Sequence, residues 1–239
     1  MVSSNLATKL REGTKKAHTM AENVGFVKCF LKGVVEKSSY RKLLSNLYFV
    51  YSEMEEQMHL HRDHPILSKI YFPLLNRRRS IEQDLSFYYG ADWPDLAVAS
   101  SAGQTYVQRI RDISNTEPEL LIAHAYTRYM GDLSGGQILK GIAQRAMNLS
   151  EGHGVSFYEF EDIADEKQFK TLYRQRLDEL LLSESTVVRI VDEANAAFEM
   201  NMKLFQELEG SVVKAIGKVL FNTLTRRRTG SGADLATAD

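Results

Sequence analysis

The stretch YTRYMGDLSGGQILKGIAQ, residues 126–144, reads as a single helix, yet it carries Gly131, Gly135, Gly136 and Gly141 where alanine would be steadier. Each interior glycine costs roughly 1 kcal/mol against alanine. Gly131 and Gly135 are four residues apart and share a face, where the missing Cβ lets the backbone come close to a flat partner. The run Ser134-Gly135-Gly136 is also a place where a helix can kink. Close contact between helices and close contact with a ligand both fit the glycines alone. Asp132 favours the ligand. Its neighbours Ile122, Tyr129, Leu133, Ile138 and Leu139 read as buried, and a carboxylate among them needs a specific hydrogen-bond partner.

The surroundings of this stretch are helical as well. Prolines stand only at 65, 73, 94 and 118, so everything after Pro118 lacks the commonest helix breaker. Pro118 suits the first turn of the helix that carries the glycines, and Thr116 stands where it can help to cap it. In residues 39–58, Tyr40, Leu43, Leu44, Leu47, Tyr51, Met54 and Met58 recur at three-and-four spacing. Residues 185–210 repeat the pattern through Val187, Ile190, Val191, Ala194, Phe198, Met202 and Phe205, and stop at Gly210. Alternating strand patterns and Asn-Gly hairpins are absent. The expected fold is an all-α, single-domain helical bundle of about eight helices over residues 1–224, with a polar tail over 225–239 expected to be disordered.

Composition narrows the class of partner. Lysine and arginine number 30 against 31 aspartates and glutamates, so no general attraction to nucleic acid or anionic membrane is expected, and any charged docking site must be local. The single Cys29 cannot form an internal disulfide, which suits a reducing compartment. No run of about eighteen apolar residues occurs, so a membrane anchor is not expected, and the cytoplasm is the default location.

Near the N-terminus, Arg11, Lys15, His18 and Glu22 are spaced by four, three and four, which places them on one narrow helical stripe. That stripe fits a solvated face with an i,i+4 His-Glu pair. It equally fits an axial histidine backed by a carboxylate, with two cations placed for the acid groups of a ligand. His59, His61 and His64 crowd into HLHRDH just before Pro65 and are read as a solvated turn rather than a metal cluster. His124 stands eight residues before Asp132, some 80 degrees round a regular helix, so it need not share the pocket and is read as a core or supporting histidine. Lys170 and Arg174, four apart, make either a solvated face or a clamp for carboxylates.

Taken together, the glycine-rich helix, the histidine stripe and the basic pair resemble heme oxygenase, above all the soluble cyanobacterial and algal type. The resemblance runs from LATKLREGTKKAHTMAENVGFVKCFLKG through NLYFVYSEMEE, YFPLLNRRRSIEQDLSFYYG and PELLIAHAYTRYMGDLSGGQILKGIAQ to FKTLYRQRLDEL and IVDEANAAFEMNMKLFQELE. It covers nearly everything except the tail, and GDLSGGQ with KKAHTMAEN is its most specific part.

The resemblance implies heme b as both substrate and cofactor, held between a proximal helix and a kinked distal helix. His18 is then the iron ligand, with Glu22 behind its ring. Gly131, Ser134 and Gly135 lie over the heme, and Arg11, Lys15, Tyr126, Lys170 and Arg174 hold its propionates. Tyr51, Tyr106, Arg128, Asp132 and Asn201 form the distal polar network, while Phe198 and Phe205 are pocket walls. The implied reaction opens heme at the α-meso carbon to biliverdin IXα, carbon monoxide and ferrous iron, with dioxygen and electrons from reduced ferredoxin. An acidic ferredoxin is expected to dock on a basic patch that includes Lys15, Lys16 and Arg176. The implied setting is phycobilin synthesis in a cytoplasm or, in an alga, a plastid stroma.

Overall fold

The fold was established from a computed structural model that describes residues 5–150 and 152–209. The helices are α1 (Leu6–Gly13), α2 (Lys15–Glu22), α3 (Gly25–Leu31), α4 (Lys37–Leu60), α5 (Arg78–Tyr89), α6 (Trp93–Leu96), α7 (Ser101–Thr116), α8 (Leu121–Ala125), α9 (Gly131–Met147), α10 (Glu166–Asp178) and α11 (Glu184–Glu207). No strand occurs among the described residues. The expectation of about eight helices holds once continuous rods are counted. Hydrogen bonds from Thr14 N to Leu10 O and from His18 N to Thr14 O join α1 to α2, and a π turn at Tyr126–Met130 joins α8 to α9. The one-turn α6 is additional. The tail and the boundary at residue 224 lie outside the described residues.

The long α4 buries the stripe its spacing demanded, and Tyr40, Leu44, Tyr51 and Met54 are wholly enclosed. It packs on α5 and α7. α11 is the central wall, since it touches α1, α2, α3, α7, α8 and the π turn. It therefore reaches both the histidine stripe and the glycine-rich rod. Local chemistry sets several helix starts: Ser100, Asp165 and Ser183 each accept a backbone N–H in the first turn of α7, α10 and α11. α5 has no such cap of its own, and the Glu55 carboxylate reaches over from α4 to accept from Arg77 N at 2.5 Å.

Four details depart from the sequence expectation. Thr116 donates its hydroxyl to Asp112 O at 2.8 Å, so it belongs to the end of α7 and does not cap the next helix. Pro118 opens a 3-10 turn, Pro118–Leu120, that feeds α8. The distortion in the glycine-bearing rod falls at the π turn, one turn before the Ser-Gly-Gly run, which itself is regular α-helix. A π turn holds one residue more than an α turn, and such insertions gather at functional sites. α11 ends at Glu207 with Leu208 as its cap, short of Gly210.

Candidate active site

A Cβ added to Gly131 or Gly135 would meet no protein atom within 4 Å, whereas one on Gly136 would rest at 3.6 Å from Tyr158. Gly136 is in ordinary contact with Tyr158 and would admit a methyl group, while the pair four residues apart faces open space, so packing against the protein explains neither Gly131 nor Gly135. Gly131, Ser134 and Ile138 are exposed along the same face. Ile138, expected to be buried, is 66 % exposed, because it continues this face rather than the one turned to the core. A bare backbone strip flanked by small and apolar residues suits a flat apolar macrocycle.

Asp132 sits beside that strip with its side chain nearly enclosed. The Tyr51 hydroxyl donates to it, and Arg128 Nη2 lies 3.7 Å away. Burial pushes the Asp132 carboxyl up, while Arg128, the Tyr51 hydroxyl and Arg77 pull it down. Arg128 donates from Nε to Tyr51 at 2.9 Å and from Nη1 to Asn201 Oδ1 at 2.6 Å. Burial works against its charge, but Tyr51, Asp132 and Tyr106 more than offset that, so its pKa lies above the ordinary value. The π turn turns Arg128 back onto α4 and α11, and the five polar residues expected to cooperate do converge: Tyr51, Tyr106, Arg128, Asp132 and Asn201.

About one turn back along α11 from Asn201, the edge of the His18 ring meets Phe198, with centroids 5.7 Å apart. His18 Nδ1 is 3.7 Å from Glu22 Oε1, which leaves Nε2 as the nitrogen available to a metal. Both side chains are about half exposed. Phe205 stacks on Phe26 at 6.0 Å and so stiffens the wall from behind. Arg11 and Arg174 both lower the pKa of Tyr126, which burial otherwise raises, so these three lie together as a cluster suited to acid groups. Lys15 is exposed nearby on the same stripe. Lys170 donates to Leu133 O at 3.0 Å and ties α10 to the glycine-rich helix. The HLHRDH histidines have separate partners: His59 meets Tyr71, His61 meets Ser114 and His64 faces Glu119.

Comparison with known proteins fits this arrangement. A family profile described as heme oxygenase matches residues 4–207. The chain is 71% identical to heme oxygenase 1 of Nostoc sp. over the whole of both chains, and 65% identical to heme oxygenase 1 of Synechocystis sp. over 99% of this chain and 98% of that one. The chain belongs to the heme oxygenase family. The crystal structure of the Synechocystis heme oxygenase-1, in complex with heme, superposes with a TM-score of 0.90 at 67% identity, over 92% of this chain and 99% of that chain.

Several residues of the site region escaped the sequence reading. Within α4, Glu53 and Glu55 are buried, although they lie between the apolar positions of the stripe. Arg77 is buried over the ring of Phe160, 3.7 Å from its centroid. Glu193 is buried and bonded to His124 and Arg109. Nothing local marks these positions; each is charged because a partner on another helix needs it. His124 is indeed a core residue, but the wheel angle that separated it from Asp132 fails across a π turn, and hydrogen bonds through Tyr106 bring it into the same polar system.

Proposed function

We propose that this family member binds heme through His18 and cleaves it at the α-meso carbon to biliverdin IXα, carbon monoxide and ferrous iron, using dioxygen and electrons from reduced ferredoxin. The observation that carries the reading is the bare Gly131–Gly135 strip beside the enclosed Asp132–Tyr51–Arg128 network. A site that merely stored heme would gain nothing from a buried carboxylate next to the ligand. Heme, when bound, supplies the redox chemistry and is consumed as the substrate.

The chain's own part is to position and to supply protons. Glu22, 3.7 Å from His18 Nδ1, draws the ring proton to that nitrogen, directly or through water, which favours the tautomer whose Nε2 can donate to iron. Arg11, Lys15, Tyr126, Lys170 and Arg174 hold the propionates and so choose which edge of the ring lies under the glycines. Gly131 and Gly135 leave room for a small bound gas between ring and helix. Asp132 accepts hydrogen bonds from water, aligning it for proton donation at the reacting edge, while Arg128 and Tyr51 hold the carboxylate in place. Phe198 and Phe205 keep bulk water from the proximal face. No described helix is long and apolar enough to cross a membrane, and the reaction is assigned to the cytoplasm or a plastid stroma.

The test is direct. Hemin is added anaerobically, then oxygen with ferredoxin and its reductase, and the spectrum is followed. Loss of the Soret band with growth of a biliverdin band is expected; a stable Soret band with heme bound overturns the proposal.

A further inference from the structure

Behind the distal network lies a buried chain of five side chains that ends in Glu193, and each end has a polarity that cannot change. Arg128 can only donate, and it gives Nη1–H to Asn201 Oδ1 at 2.6 Å. This turns the Asn201 amide nitrogen toward Ala197 O, at 2.8 Å, and the same side chain is hydrogen-bonded to Tyr106. At the other end, burial would raise the Glu193 pKa, but hydrogen bonds from His124 and Arg109 hold it down at about 2. Glu193 is then a carboxylate and can only accept. It takes Nε2–H from His124 at 2.9 Å, and Nε–H and Nη2–H from Arg109 at 3.0 and 2.5 Å. His124 is wholly buried, and a neutral imidazole that gives its one N–H to Glu193 through Nε2 has an acceptor lone pair at Nδ1, 3.3 Å from the Tyr106 hydroxyl.

We propose that Glu193 and His124 fix the direction of the Tyr106 hydroxyl, so that Tyr106 serves the heme site as a hydrogen-bond acceptor and never as a donor. Tyr106 has a single proton, and the His124 lone pair takes it. Burial raises its pKa to about 12, so that proton stays in place. Donation therefore runs one way, from Arg128 through Asn201, Tyr106 and His124 to Glu193. Tyr51 is constrained in the same sense: it accepts from Arg128 and spends its proton on Asp132. Water at the distal side can give hydrogen atoms to these phenols but receive none from them, which leaves its remaining hydrogens for the substrate. Glu193 and His124 are positioning residues, because they act through Tyr106. Their effect on turnover rests on the proposed function; the direction of the chain does not.

The first measurement needs no heme. Nitrogen-15 spectra of labelled imidazoles in the heme-free protein should show His124 with Nε2 protonated and Nδ1 bare. A proton on Nδ1, alone or as imidazolium at neutral pH, overturns the direction. In Glu193→Gln the end group can donate as well as accept, so the tautomers should mix. With heme bound, kcat should then fall roughly tenfold at unchanged KM and with an altered solvent isotope effect. Unchanged kinetics in a protein whose tautomers have mixed would overturn the role at the site. Tyr106→Phe is the second arm if that variant does not fold. The bare Nδ1 should lose its donor and its resonance should move, while Nε2–H stays on Glu193; an unmoved Nδ1 also overturns the proposal. If the wild-type tautomer is as stated but no biliverdin forms, the proposed function fails and the chain direction stands.

Discussion

Arg128 donates through Nε to the Tyr51 hydroxyl at 2.9 Å, and this turns the phenol proton onto Asp132. The carboxylate is thereby held from behind, with its remaining acceptor capacity directed to the glycine strip. Asp132→Asn and Asp132→Ala should leave heme binding unchanged, since the His18 side is untouched. Biliverdin formation should slow by on the order of 10²-fold, the usual contribution of a positioned proton donor. Heme titration by the Soret band and single-turnover product analysis check both halves; wild-type turnover in the alanine variant would remove Asp132 from the reaction.

In the proposed reaction His18 supplies the axial bond, and it stands on an exposed helix face where it contributes little to the core. His18→Ala should therefore fold normally by circular dichroism and lose ferredoxin-driven turnover. Added imidazole should restore part of it. Full activity without imidazole would assign the iron to another ligand.

Lys170 and Arg174 stand one turn apart on α10, with Arg174 close to Tyr126 and Lys170 on Leu133 O. Replacing both with alanine should loosen the rotation of heme in its plane more than it slows the chemistry. Chromatography of the bilin products should then show isomers besides IXα. A single isomer at unchanged heme affinity would make this pair a solvated face.

Under the proposed function, ferredoxin should dock on Lys15, Lys16 and neighbouring cations. Arg176 contributes less than its position suggests, because Glu179 accepts from it at 3.2 Å. The near-zero net charge makes the attraction local, so the apparent affinity for ferredoxin should weaken as the Debye length shortens below about 10 Å above 0.1 M salt. Lys15→Glu with Lys16→Glu should flatten that dependence. An affinity indifferent to ionic strength would place the docking face elsewhere.

Two buried carboxyls give the fold a pH signature. Burial raises Glu55 from 4.5 to about 7 and Asp84 from 3.8 to about 6, although both accept backbone N–H bonds. Between the unfolded and folded values the native state binds the extra proton. Stability from these groups is thus full below about pH 4, and falls as pH rises through 6 and 7. Glu55 alone accounts for up to about 3 kcal/mol. Melting temperatures should decline from pH 5 to 8, and Glu55→Gln should flatten most of that decline.

The helical pattern and much of the site were legible because both depend on spacing within one helix. Tyr40 to Met58 repeat at helical intervals and are buried as a stripe, and Arg11 to Glu22 keep their line across Thr14. The glycine pair was legible for the same reason, since a costly residue repeated on one face asks for a cause. What spacing cannot reveal is a partner on another helix. Glu55 caps α5 from α4, Glu193 answers Arg109 and His124 from α11, and Arg77 lies on Phe160. Each of these residues looks like surface charge in one dimension. The π turn was hidden too, because YTRYM carries no glycine or proline to betray it.

That turn divides one rod into two with independent phase. Up to Ala125 the rod is buried on every side, and from Gly131 it keeps a core face through Leu133, Ala143 and Met147 but bares the glycine face, so Tyr126–Met130 works as a coupling between two gears. An α-helix advances about 100 degrees per residue, and removal of a single residue from the coupling would swing the glycine strip and Asp132 round by that amount while His124 stayed where it is.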